Sequence, residues 1–212
     1  MSAKLKLFWF NFFKFPGRLI THPFDGFDEL KREKKGKLSV ALIFIALYAI
    51  LRIVTFQYAG PLVNNNNPQD LNSLGEVFSV VLIVMIFVVG NYSITTFMSG
   101  KGSFKEILIV VGYALWPAVI IGFPNVILSN FLAESEIAFY NLFMVLSYVL
   151  TGWVLFMGLL NIHEYGLGKS LLGIIATVVA MAIIIFIGLL FFDIIQQIVN
   201  FVAQIFQELR LR

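Results

Sequence analysis

Five long apolar stretches, joined by short polar loops whose positive charge comes and goes in alternation, constrain this 212-residue chain more than anything else in it. The hydrocarbon core of a bilayer asks for about 20 apolar residues per helix. Inside it every backbone N–H and C=O must be satisfied within the segment, so each stretch reads as a transmembrane helix. Composition agrees: 59% of residues are hydrophobic, against about 45–50% in soluble domains. The five spans leave no room for a separate soluble domain.

The stretches run over about Ser39–Phe56, Val77–Phe97, Phe104–Leu128, Ile137–Leu160 and Leu171–Phe192. Nine cations precede the first span (Lys4, Lys6, Lys14, Arg18, Lys31, Arg32, Lys34, Lys35, Lys37). Lys101 and Lys105 follow the second, and Lys169 follows the fourth. The loops 57–76 and 129–136 hold no Lys or Arg. By the positive-inside rule the N-terminus is cytoplasmic and, with an odd number of spans, the C-terminus is outside. The expected fold is therefore an all-α, five-span membrane helix bundle. Residues 1–38 form a basic cytoplasmic segment, 39–192 the bundle, and 193–212 an amphipathic outer helix.

Lys4 to Ile20 has Leu5, Phe8, Phe12, Phe15 and Leu19 on one helical face and Lys4, Asn11, Lys14 and Arg18 on the other. That pattern suits a helix lying on anionic headgroups, bent or ended at Pro16–Gly17. The same residues also fit a plain positive-inside flank. At the other end, Asp193, Gln197, Asn200, Gln204 and Gln207 face away from Ile194, Ile198, Phe201, Ile205 and Leu209, and Arg210 and Arg212 close the chain. This tail can lie on the outer leaflet or dock on a partner.

Within the spans, Ser103 and Glu106 are spaced as a capping box at the start of the third. Pro117 and Pro124 should kink or break that same helix. Ser147, Thr151 and Gly152 mark a close contact in span four, with Gly158 further down, and Gly173, Ala176, Thr177 and Ala180 mark one in span five. Arg52 lies near the outer end of span one. It is outweighed by eleven Val, Leu, Ile and Phe residues and able to snorkel.

Little in the chain carries reaction chemistry. It has no cysteine, which removes disulfides, thiolate nucleophiles and thiolate metal sites. His163–Glu164 and His22 with Asp25 are the imidazole–carboxylate neighbourhoods, and neither has a metal-ligand spacing. Both read as solvated loops. Gly100-Lys101-Gly102-Ser103 lacks the spacing and preceding strand of a phosphate loop. No carboxylate sits at mid-span to relay protons or bind ions. The net charge of +3 gathers beside the membrane rather than forming a nucleic-acid footprint. The expectation is a protein without cofactor, metal or catalytic residue.

The run Gly100-Lys101-Gly102-Ser103-Phe104-Lys105-Glu106, followed by Val111-Gly112-Tyr113-Ala114 and Pro117, resembles the central signature of the Yip family (the Ypt-interacting protein domain). His22-Pro23-Phe24-Asp25-Gly26-Phe27 is similar to that family's proline-centred lead-in. The resemblance covers about residues 20 to 192 and implies a five-span fold with no catalytic residues. The short basic N-terminus and the added C-terminal helix bring the chain nearer the bacterial branch, some of whose members are associated with ABC transporters for carbohydrate import or for export. What the resemblance implies is a non-catalytic accessory or scaffold protein of the bacterial plasma membrane, with the bilayer and transporter subunits as its partners. Its candidate docking residues are Lys101, Ser103, Lys105 and Glu106 on the inner turn and Phe201 and Ile205 on the outer tail. The alternative is a small channel or transporter in which Asn91, Pro117, Pro124 and Arg52 line a polar path. A membrane enzyme built on His163 and Glu164 is the third reading.

Overall fold

A computed structural model describes residues 3–210, with side chains for residues 4–207. Arg212 and the side chains of Leu209 and Arg210 lie outside the described residues. Among those described, five helical segments are long and apolar enough to cross a membrane, as the hydropathy predicts. The N-terminal region holds α1 (Ala3–Trp9), a π-helical turn (Phe10–Lys14), α2 (Phe15–Thr21) and α3 (Pro23–Lys31). The spans are α4 (Leu38–Tyr58), α5 (Ser73–Phe97), the pair α6 (Phe104–Ala114) and α7 (Trp116–Ser129), α8 (Ile137–His163) and α9 (Leu167–Arg210).

The third span breaks once. Pro117 falls in the first turn of α7, where its missing N–H costs no helical bond. Leu115 closes α6 with its amide bonded back to Val111 and Gly112. Pro124 lies inside α7, which stays continuous through it. The broken span is the most enclosed of the five: α6 packs on α4, α5 and α8, and α7 packs on α4 and α8. Gly112 lets it approach α4 closely, because a Cβ there would meet the Ala41 backbone at 2.6–2.7 Å.

The N-terminal segment departs from the surface-lying helix that its amphipathic pattern suggests. Phe15, Leu19, Phe27 and Leu30 are buried in the bundle core. Phe15 and Phe44 meet the Tyr113 ring edge-on, with centroids 5.7 and 5.6 Å away, the favoured aromatic geometry. Phe12 meets Phe44 the same way, six residues or about 9 Å of helical rise inside α4. The physical reason is that a helical stripe of Phe and Leu fits a protein groove as well as a lipid surface. Here α4, α6 and α8 supply the groove. The first residues keep their apolar side chains uncovered, with Leu7, Phe8 and Trp9 more than half exposed beside Lys4 and Lys6, as is Phe24 further on.

Connections segregate by charge. The α3–α4 linker, the α5–α6 turn and the α8–α9 turn share one end, tied by contacts of Lys31 and Lys101 with Glu164. The two cation-free loops meet at the other end, where Gly60 N–H donates to Ser129 Oγ at 2.8 Å and Asn130 Nδ2 to the Tyr58 carbonyl at 2.9 Å. Helix α9 pairs with α5 through its first half, using the small face foreseen at Gly173, Ala176, Thr177 and Ala180. It then continues unbroken to Arg210, so no break separates the fifth span from the tail. In α8 the close contact is at Gly158, against Val110 and Phe27, whereas Gly152 faces open space.

Candidate functional site: a locked polar cluster at the basic end

Polar side chains inside a membrane bundle must find partners, and the basic end shows where they go. Asn91 and Thr95, one turn apart on α5, are buried, as are His163 at the end of α8 and Thr177 on α9. Gly102 N–H donates to His163 Nδ1 at 3.3 Å. That acceptor role leaves the proton on Nε2, which donates to Asn91 Oδ1 at 3.1 Å. Asn91 Nδ2 donates to Thr177 Oγ1 at 3.0 Å, and the Thr177 hydroxyl to the Gly173 carbonyl at 2.7 Å. The chain of donors and acceptors closes with the neutral imidazole, and both ring nitrogens are used.

His163 thus differs from the solvated residue suggested by its loop neighbours. It is buried because the α5–α6 turn folds over it. Gly100 and Gly102 permit that approach: a Cβ at Gly100 would meet Tyr165 Oη at 2.6 Å and His163 Nδ1 at 2.7 Å, and one at Gly102 the His163 ring at 2.8 Å. Tyr165 stacks on His163 at 5.3 Å and donates its hydroxyl to the carbonyls of Thr95 and Met98. Burial pushes the Tyr165 phenol above its usual pKa.

Around this core lies a charged rim. Ser103 and Glu106 form the capping box, with Ser103 N–H on Glu106 Oε2 at 2.8 Å and Glu106 N–H on Ser103 Oγ at 3.3 Å. Glu164 sits in the left-handed region at φ 56° as the cap of α8, a conformation uncommon outside glycine. Two cations hold it there: Lys101 Nζ at 2.6 Å and Lys31 Nζ at 3.0 Å. Lys31 also donates to the Ile162 carbonyl at 2.8 Å. Hydrogen bonds from Lys101, then Lys31, lower the Glu164 carboxyl to a pKa of about 2. The cluster therefore joins α3, the α5–α6 turn and the α8–α9 turn.

The anticipated site residues separate into several places. Lys101, Ser103, Lys105 and Glu106 share one turn, with Lys105 exposed. Phe201 and Ile205 are exposed on the far part of α9, 34 residues or about 51 Å of helical rise beyond Leu167. Asn91 belongs to the buried cluster, Pro117 is buried at the α6–α7 break and Pro124 is exposed on α7. Arg52 bonds Glu76 in the opposite half of the molecule. The structure does not gather these last four residues along one path. His22 contacts Thr21 Oγ1 at 3.0 Å. Among the described residues no three His, Asp or Glu side chains come together as a metal ion would need.

Sequence reasoning passed over Lys31, Thr95, Gly102 and Tyr165 as members of the cluster. The available signal was the i, i+4 pair Asn91–Thr95 in an apolar span, which had to find a partner on another helix.

Five spans, a helical break packed in the core and a polar end closed on itself define a multi-pass α-helical membrane protein. The chain belongs to the Yip family: the model of the Yip1 domain matches residues 17–190. The matched stretch takes in α3, all of the locked turns and α9 as far as Leu190. Neither a curated protein nor a solved structure matches the chain.

Proposed function

We propose that the protein is a non-catalytic membrane adaptor, docking other membrane proteins through the two ends of its bundle. One observation carries this reading: α9 is 44 residues long, about 66 Å, and from Ile185 through Gln207 every residue is exposed. A hydrocarbon core of about 30 Å covers less than half of that length. Beyond it, Ile194, Ile198, Phe201 and Ile205 form an apolar face that a soluble helix end does not carry unpartnered. The absence of any break at Asp193 favours a projecting helix over one folded flat on the leaflet.

In this reading the basic end is cytoplasmic, the membrane is a bacterial plasma membrane, and Lys101, Lys105 and the capped turn form the inner contact. The likeness to bacterial relatives associated with ABC transporters makes the membrane subunits of such a transporter the first partner to test. Purification of the tagged full chain in mild detergent, with identification of co-purifying proteins, is the test. Transporter subunits should be recovered with the wild type and lost with the double variant Phe201→Asn/Ile205→Asn, whose melting temperature stays that of the wild type. Recovery of the chain alone, from cells in which the transporter is present and intact, overturns the proposal.

A further inference from the structure

A cavity of about 390 Å³ opens between α4, α5, the α6–α7 break, α8 and α9, within the roughly 300–1,000 Å³ range of ligand sites. Its wall is polarised along the bundle axis. Arg52, Glu76 and Ser79 stand at the end near the cation-free loops, while Val84, Phe87, Leu155 and Met181 line the part reaching mid-bundle. From Glu76 to Phe87 helix α5 rises about 16 Å, close to half of the about 30 Å hydrocarbon core. The cavity is as deep as one leaflet.

The polar end has unused capacity. Arg52 Nε donates to Glu76 Oε2 at 3.2 Å, and the Arg52 side chain is 53% exposed. Its two terminal amino groups make no hydrogen bond to the described residues, and neither does Glu76 Oε1. A guanidinium fork suits a phosphodiester, and a free carboxylate oxygen beside it suits an ammonium. Below, an unfilled apolar volume would forfeit dispersion contacts along its whole lining.

We propose that this cavity is a phospholipid site, in which one acyl chain of a leaflet lipid lies between α5, α8 and α9 with its phosphate on Arg52 and its headgroup ammonium beside Glu76. The bound lipid completes the packing of α9 on the bundle at the point where α9 departs from α5. The site is independent of the adaptor reading and does not need a protein partner.

Photolabelling tests it. The full chain is reconstituted in nanodiscs containing a phosphatidylethanolamine with a diazirine in one acyl chain, irradiated, and mapped by peptide mass spectrometry. Label should concentrate on Phe87 and Leu155 over the exposed Val145 and Val149, which report ordinary annular lipid. Val84→Trp, which fills the cavity, should lower label at Phe87 and Leu155 several-fold and leave Val145 and Val149 unchanged. Met181→Phe narrows the cavity from α9 and serves if the first variant melts early. Arg52→Gln should lower labelling by the phospholipid several-fold but not by a diazirine-bearing long-chain alcohol that lacks phosphate. Equal labelling of cavity and annular positions in the wild type, or cavity label unchanged in both filling variants, overturns the site. Unchanged phospholipid labelling in Arg52→Gln overturns the headgroup assignment.

Discussion

Trp116 donates its indole N–H to the Phe12 carbonyl at 2.8 Å, within the π-helical turn that precedes Pro16. A proline has no amide to give, and a carbonyl released inside a membrane bundle is costly unless another donor reaches it. The first residue of α7 brings an indole donor to this turn. Two irregular points of the chain, one in the N-terminal segment and one in the third span, are thereby tied to each other.

Trp116→Phe should lower stability by about 1 kcal/mol through the lost indole hydrogen bond. Pro16→Ala adds an amide four residues beyond Phe12, able to reach its carbonyl if the turn tightens to an α-helical register, so it should cost little alone and recover part of the loss in the double variant. Thermal melts of the four proteins in one detergent form the cycle. Strict additivity of the two substitutions would show that the indole acts only as bulk.

A second prediction concerns the imidazole lock. His163→Ala strands the Gly102 amide and the Asn91 side-chain oxygen, at about 2–4 kcal/mol for the two groups together. Gly102→Ala is destabilising because its Cβ would strike the His163 ring. The double variant should lose less than the sum, since removing the ring removes the clash. Additive losses would place the Gly102 conflict elsewhere.

What was legible in the sequence is what local chemistry decides. Apolar runs gave the spans because each must close its own hydrogen bonds, and the Ser103–Glu106 box formed because its partners are three residues apart. Pro117 broke its helix as expected; Pro124 did not. The fate of the N-terminal stripe was out of reach, since the same periodicity serves a lipid surface or a groove between helices. His163 was misplaced for a related reason: beside Glu164 it looks solvated, and its partners Gly102 and Asn91 lie 61 and 72 positions away.

The glycines of α8 make that limit testable. Both Gly152 and Gly158 read as packing positions, yet a Cβ at Gly152 meets nothing within 4 Å while one at Gly158 runs into Val110 and the Phe27 ring. Gly158→Ala should cost about 1–3 kcal/mol, as overpacked cores do. Gly152→Ala should be neutral or stabilise by up to about 1 kcal/mol, from helix propensity alone. Equal effects in a melting comparison would contradict the placement of α3 against Gly158.

The final prediction follows from the charged rim. Lys101 and Lys31 hold the Glu164 carboxyl at a pKa of about 2, below the ordinary 4.5. A carboxyl whose folded pKa is depressed adds stability that is fully present above its unfolded pKa and fades as pH falls toward the folded one. The stability difference between wild type and Glu164→Gln should therefore be constant above about pH 5 and shrink as pH falls from about 4.5 toward about 2. Added salt should reduce it at neutral pH, because the pair is open to solvent. Denaturation midpoints across this range give the answer: a difference as large near pH 2 as at pH 7 would mean that Glu164 is held by packing rather than by its two lysines.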